Sequence, residues 1–215
     1  MNVLDNFIKI KNSINSLSST VKIIVVSKTF DINTINPIID YGHNHFGENK
    51  VQEATIKWQP IISKYPNLKL HFIGSLQSNK AKDAVKLFNY IHSLSSEKLA
   101  NILMQEENLI NKKLKYFVQV NFTNLKERNG IKPNEAKSFI KYCINDLKLE
   151  IIGLMCIPPL NDNPNSYFFQ LKKIANENNL HELSMGMSSD YLDAVKNGST
   201  YVRIGSKIFG ERTNQ

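Results

Sequence analysis

The stretch IIVVSKTF, residues 23–30, sets four β-branched apolar residues ahead of Ser27 and Lys28. A buried strand that ends on a lysine has two readings. The ammonium snorkels from the strand end into water, as most lysines do. Alternatively the amine stands at a pocket mouth, where a neutral lysine attacks a carbonyl and forms a Schiff base. A second chemistry-bearing stretch is LSMGMSSDYLDAVKNGSTYVRIGSKIFGER, residues 183–212. In SMGMSSD, Gly186 permits a tight turn, and Ser188, Ser189 or Asp190 can cap a following helix whose exposed amides suit a phosphate. An ordinary capped turn needs the same residue types. RIGS repeats the theme one strand later: Gly205 allows close backbone approach, and Ser206 offers a hydroxyl and an amide. Two such loops on adjacent strands form a phosphate cup. Arg203 precedes Gly205 by two residues, and a guanidinium inside a fold must find acceptors. It either pairs with Glu48 or Asp190, or it donates to a ligand's ring nitrogen or carboxylate.

Other stretches carry less. In HFGENKVQE, Asn49 is either a side-chain donor at a site or a helix N-cap. In LHFIGSLQSNK, His71 and Phe72 point to opposite faces of a strand, and His71 reads as an inter-strand histidine rather than a catalyst. Serine, histidine and aspartate nowhere take the spacing of a hydrolase triad. The five histidines and scattered acids make no metal site. VNFTNLKERNGI, residues 120–131, is a strand end with a charged loop, either solvated or lying over a pocket mouth.

These residues need elements to position them. After an opening helix over 3–17, strands are predicted at 22–27, 45–47, 69–73, 90–94, 116–121, 150–155, 181–185 and 201–204. Helices alternate with them, among them 34–41, 97–111 and 133–144, with Pro133 in the first turn of the last. Pro158 and Pro159 stop the sixth strand. Strict βα alternation means parallel strands covered by helices. Eight units predict an α/β fold of one domain over 1–215, a (β/α)8 TIM barrel with an additional N-terminal helix. A doubly wound open sheet is the alternative. In a barrel the strands' C-terminal ends carry the site, and Lys28, Asn49, Met155, Ser184, Gly186, Arg203 and Gly205 all fall at or near such ends.

The totals agree with a globular chain. Of 215 residues, 41% are hydrophobic and 21% charged, enough for a sizeable core. The net charge of +8 is spread along the chain without a basic block, which argues against nucleic acid but suits an isolated phosphate site. No apolar run is long enough to span a membrane. The N-terminus reads as neither a secretory signal nor a transit peptide. Cys143 and Cys156 lack metal-ligand spacing and fit a reducing cytoplasm.

The motifs VVSKTF, HFGENKVQE, HFIGSLQSNK, VQVNFTNLKERNGI, GLMCIPP and the 183–212 stretch together resemble the pyridoxal-phosphate homeostasis protein family, in order and over nearly the whole chain. The resemblance implies a single barrel like the N-terminal domain of alanine racemases. It implies binding of pyridoxal 5′-phosphate (PLP), a monomer, a role in vitamin B6 and amino-acid homeostasis, and no established catalytic activity. Carried over by position, Lys28 is the lysine that holds PLP as a Schiff base. The phosphate-binding stretches fall on Ser184, Gly186, Ser188, Gly205 and Ser206. Arg203 faces the pyridine nitrogen, and Asn49 and Met155 line the pocket. Lys50, Leu70 and Ser189 stand where the family usually has tyrosine, tryptophan and aspartate.

Lys28 must be neutral part of the time to attack the aldehyde, and burial and Arg203 both favour that. An amine or amino acid then releases the cofactor by transimination. An arginine cannot be the acid that protonates a pyridine nitrogen, so the electron sink is weak. Eight βα units use up nearly all the residues, leaving no room for the second domain that supplies a racemase's other base. A PLP carrier, with PLP-dependent apo-enzymes as partners, therefore leads. A small PLP enzyme acting on amino acids, such as a weak racemase, is the second reading. A Schiff-base aldolase-like barrel without PLP is the third.

Overall fold

A computed structural model of the chain describes residues 2–123, 129–159 and 162–210. Eight strands pair in parallel in chain order, and the first closes on the last. They are β1 Lys22–Val26, β2 His45–Glu48, β3 Lys69–Phe72, β4 Tyr90–Leu94, β5 Lys115–Gln119, β6 Glu150–Met155, β7 Glu182–Ser184 and β8 Tyr201–Ile204. Pairing of Ile24 with Arg203 across β1 and β8 rules out the open doubly wound sheet. The helices are α1 Val3–Asn15, α2 Ile32–Asp40, α3 Val51–Trp58, α4 Ala81–Leu87, α5 Glu97–Ile110, α6 Ala136–Lys141, α7 Pro164–Glu177, α8 Tyr191–Lys196 and α9 Ser206–Phe209.

Local chemistry explains the helix boundaries. The Asn2 side chain accepts from Leu4 N at the start of α1, whose buried stripe is Phe7, Ile10 and Ile14. Asp31 accepts from Thr34 N and opens α2, which buries Ile35, Ile38 and Ile39. Ser96 caps α5, and Asn111, in the left-handed conformation, ends it. The sixth helix differs from expectation. Pro133 lies in a turn, not in the helix: Ala136 N reaches back to the Pro133 carbonyl, and α6 starts at Ala136. A π-helical turn, Tyr142–Asp146, then extends it, with Leu147 N bonded to Tyr142 O.

The strands alternate between two apolar environments. Ile23, Val25, Phe46, Leu70, Phe72, Val118, Leu154 and Val202 face the helical layer. Ile24, Phe117, Met155 and Tyr201 form a separate cluster inside the barrel. Both faces are buried, so β1 reads as a continuous apolar run rather than an alternation. Among the described residues no helix is long and apolar enough to cross a membrane.

Candidate functional site

The C-terminal ends of the strands surround a cavity of about 400 Å³. Its wall includes five residues singled out from the sequence: Lys28, Ser188, Arg203, Gly205 and Ser206. Val26, Phe30, Ile73, Ile157 and Met187 supply apolar walls, and Ser189 and Gly210 complete it. The size and the mixture of an apolar box with a few convergent polar groups match small-molecule sites.

Lys28 follows β1 on a loop held from below. Ser27 Oγ donates to Glu48 Oε1 at 2.7 Å. The same oxygen receives Trp58 Nε1 at 3.0 Å and Lys57 Nζ at 3.0 Å. Lys57 also donates to the Ser27 carbonyl at 2.6 Å. Glu48 is fully buried, so one carboxylate oxygen ties the ends of β1 and β2 to α3. Thr29, next to Lys28, sits at φ 71°, the left-handed region that a β-branched residue rarely adopts. Phe30 then stacks on Phe209 of α9, ring centroids 4.4 Å apart, which clasps the β1 loop to the last helix.

Arg203 is 5% exposed, and among the described residues its guanidinium bonds to uncharged oxygens. Its Nη1 donates to Ser184 O and Ser184 Oγ, both at 2.7 Å, and Nη2 to Cys156 O at 3.0 Å. Neither Glu48 nor Asp190 pairs with it. Burial pulls the guanidinium below its ordinary value, yet an arginine remains a cation. The barrel thus presents a buried positive charge to the cavity without a carboxylate bonded to it among the described residues.

The two serine-bearing loops are shaped by backbone bonds. Asp190 Oδ1 accepts from Met187 N at 2.6 Å, and Gly186 O accepts from Arg203 N at 3.0 Å. Asp190 therefore closes its own loop, and neither it nor the serines cap α8 with a side-chain bond. Ser188 Oγ accepts from Lys207 N at 3.4 Å, linking the loop after β7 to the one after β8. The helices after these loops have six and four residues, so hydroxyls and loop amides, not a long helix dipole, are the polar groups the loops present. A Cβ on Gly205 would lie 3.3 Å from Val26, a close strand-to-loop approach.

Four predicted residues lie outside the cavity wall. Asn49 lines a separate cavity of about 300 Å³ with Lys50, Gln77 and Lys80, and it does not cap α3, whose N-cap is Lys50. Met155 lines a third, about 290 Å³, which shares Ile73 and Ile157 with the first. Ser184 is fully buried beneath Arg203 and orients it. Gly186 packs against α8: at φ 90° a Cβ would come within 2.5 Å of the Ala194 Cβ. Sequence reading missed the apolar walls. Phe30, two residues beyond Lys28, was findable by proximity, and Ser189, named from the sequence as a helix cap, joins the wall instead; Ile73 and Ile157 carried no chemical signal. His71 is an inter-strand histidine as expected, bonded to His45 and His92. Residues 124–128 of the loop over 120–131, and Glu211 and Arg212, lie outside the described residues.

The chain matches the family model "Alanine racemase, N-terminal domain" over residues 2–213. It is 38% identical to a pyridoxal phosphate homeostasis protein of Haemophilus influenzae, the match covering 92% of this chain and 88% of that one. The chain belongs to the pyridoxal phosphate homeostasis protein family. Another member, from Aquifex aeolicus, is 34% identical over 89% of this chain and 87% of its own. PipY of Synechococcus elongatus PCC7942, solved with PLP bound, is 35% identical with a TM-score of 0.84, covering 94% of this chain and 100% of its own. An alanine racemase of Clostridium difficile, 15% identical with a TM-score of 0.78, shares the barrel over 57% of its length.

Proposed function

We propose that this barrel binds pyridoxal 5′-phosphate, holds it as a Schiff base on Lys28, and serves intracellular PLP and amino-acid homeostasis without catalytic turnover. The observation that carries the reading is that Lys28, Arg203 and the serines of two loops share one cavity. PLP has three handles, and each meets its chemical complement there. The amine of Lys28 matches the aldehyde. The hydroxyls of Ser188 and Ser206, with Gly205 allowing close approach, match the phosphate, and Ser189 adds a third hydroxyl. Arg203, a donor without an acceptor site, matches an unprotonated ring nitrogen. The names of the relatives and the PLP-bound neighbour support the same reading.

The chain's own residues restrict the chemistry open to the bound cofactor. When bound, PLP supplies a carbonyl for amines and a ring that withdraws electrons from an attached carbon. Arg203 keeps the ring nitrogen unprotonated, which weakens that withdrawal. Ile73, Ile157, Phe30 and Met187 would give the bound ring an apolar wall. Ser184 and Gly186 act indirectly, through Ser184 O, Ser184 Oγ and Gly186 O on Arg203. Asn49 and Met155 contribute from the adjoining cavities. The working form is a monomeric cytoplasmic carrier over 1–215 that exchanges PLP with apo-enzymes.

The test is an equilibrium titration of PLP into wild type, Lys28→Ala and Arg203→Gln, with amino-acid turnover measured in parallel. Saturable one-to-one binding, fast dissociation from Lys28→Ala and no turnover are expected. Wild type that fails to bind PLP, or that racemises an amino acid in a Lys28-dependent way, overturns the reading.

A further inference from the structure

Three histidines distant in sequence meet inside the barrel. His45 Nδ1 lies 2.8 Å from His71 Nε2, His71 Nδ1 lies 2.9 Å from His92 Nε2, and His92 Nδ1 lies 2.8 Å from Ser184 Oγ. Ser184 Oγ in turn receives Arg203 Nη1 at 2.7 Å. The row runs from β2 through β3 and β4 to β7, ending on the guanidinium that faces the cavity. It is rigid. Tyr90 stacks on His71 with centroids 4.2 Å apart, and Phe117 stacks on His92 at the same distance. His71, His92 and Ser184 are fully buried.

The row has a direction, and Arg203 sets it. A guanidinium only donates, so Ser184 Oγ accepts from it. Among the described residues that hydroxyl bonds otherwise only to His92, so its proton goes to His92 Nδ1. His92 then carries its proton on Nε2 and donates to His71 Nδ1. His71 likewise donates from Nε2 to His45 Nδ1, and His45 keeps its proton on Nε2. The reverse order would leave the buried serine hydroxyl without an acceptor, at the full cost of an unmade bond. In the assigned order every imidazole turns its unprotonated nitrogen toward Arg203. Three aligned dipoles place their negative ends toward a buried cation that, among the described residues, is bonded to neutral oxygens.

We infer that His45, His71 and His92 are positioning residues for Arg203, a polarised imidazole row that fixes the guanidinium and compensates its charge from across the barrel. Burial supports the neutral forms this requires: it is the largest influence on all three rings, holding His45 at about 4 and His71 and His92 well below their ordinary value. The consequence for the ligand end rests on the proposed PLP reading; the order of the protons does not.

The experiment has two arms. In the first, the ligand-free protein, labelled with ¹⁵N in histidine, reports each ring's tautomer by NMR at neutral pH. All three are expected as Nε2–H, and Ser184→Ala is expected to change His71 and His45 as well as His92. Any of the three as Nδ1–H in wild type, or a Ser184→Ala effect confined to His92, overturns the inference. In the second arm PLP is titrated into His92→Leu and His45→Phe. His45 does not line the cavity, stands at the other end of the row from Arg203 and is only part-buried, so His45→Phe is the variant to read if His92→Leu does not fold. PLP affinity is expected to fall by about three- to tenfold, the worth of one hydrogen bond. Unchanged affinity in a variant that melts cooperatively overturns the coupling. Wild type that binds no PLP at all sinks the proposed function instead, and the first arm still decides the row.

Discussion

The tie beneath Lys28 gives a prediction whose size can be worked from the structure. Glu48 is fully buried, and the Lys57 side chain is 11% exposed, 3.0 Å from Glu48 Oε1. Lys57→Met removes the cation and keeps the stem's packing. Removing one partner of a buried pair costs about 3–5 kcal/mol, because the other charge is left uncompensated. Here Ser27 Oγ and Trp58 Nε1 still donate to the carboxylate, which puts the loss near the lower end, about 3 kcal/mol. Glu48 Oε2 already has no partner among the described residues, so nothing absorbs a further loss. For a chain of this size a loss of about 3 kcal/mol lowers Tm on the order of 10 °C. Urea denaturation monitored by tryptophan fluorescence reads it directly, since Trp58 is the chain's one tryptophan and part of the tie. Adding Glu48→Gln to Lys57→Met should restore most of the loss, because no charge is then left buried. A single-variant loss under about 1 kcal/mol would instead place the pair with ordinary exposed ion pairs.

Other consequences are as concrete. Gly153→Ala drives a Cβ into the Glu182 carbonyl oxygen and should cost several kcal/mol or abolish soluble expression, whereas Gly42→Ala, at φ 93° with open space around it, should cost about 1 kcal/mol; chemical denaturation separates them. Stability should fall on acidification. His43 and His45 are held at about 4 in the fold against an ordinary value of 6.5, and His71 and His92 lie well below that ordinary value too. The unfolded chain therefore takes up protons first. The contribution is complete above pH 6.5 and is lost as pH falls toward 4, at up to about 1.4 kcal/mol per pH unit for each ring, measurable by urea midpoints across that range. Burial pushes the thiols of Cys143 and Cys156 up to about 12, so both should resist a thiol reagent near pH 8 until denaturant is added.

The sequence and the structure agree where periodicity and spacing carry the information. Eight β-rich runs alternating with helices are enough to imply the barrel, and the strands end within about two residues of their predicted ends; β1 stops one residue early and β2 gains Glu48. Chain-local signals such as the serine loops and the strand-ending lysine were readable because the chemistry and its neighbours are contiguous. The misses share a cause: the direction of a side chain depends on register and on what crosses above it. Ser184 and Arg203 both point inward, but Arg203 lies over Ser184 and takes the cavity face. Asn49 comes after a glutamate whose carboxylate is drawn outward to Lys57 and Trp58 of α3, and its own side chain falls in a neighbouring cavity. Pro133 fits a turn as well as a first helical turn, and only the backbone bonds separate them. The imidazole row could not be read from the sequence, since its members stand on different strands and meet only when β2, β3, β4 and β7 close around one axis.

Whether Lys28 holds the cofactor is tested most directly by loading the full chain with PLP, reducing it with borohydride and mapping the modified peptide by mass spectrometry. One stable adduct per chain is expected, on Lys28 and lost in Lys28→Ala. An adduct on a different lysine, or none in a protein that otherwise retains PLP, would contradict it and return Lys28 to an ordinary solvated strand end.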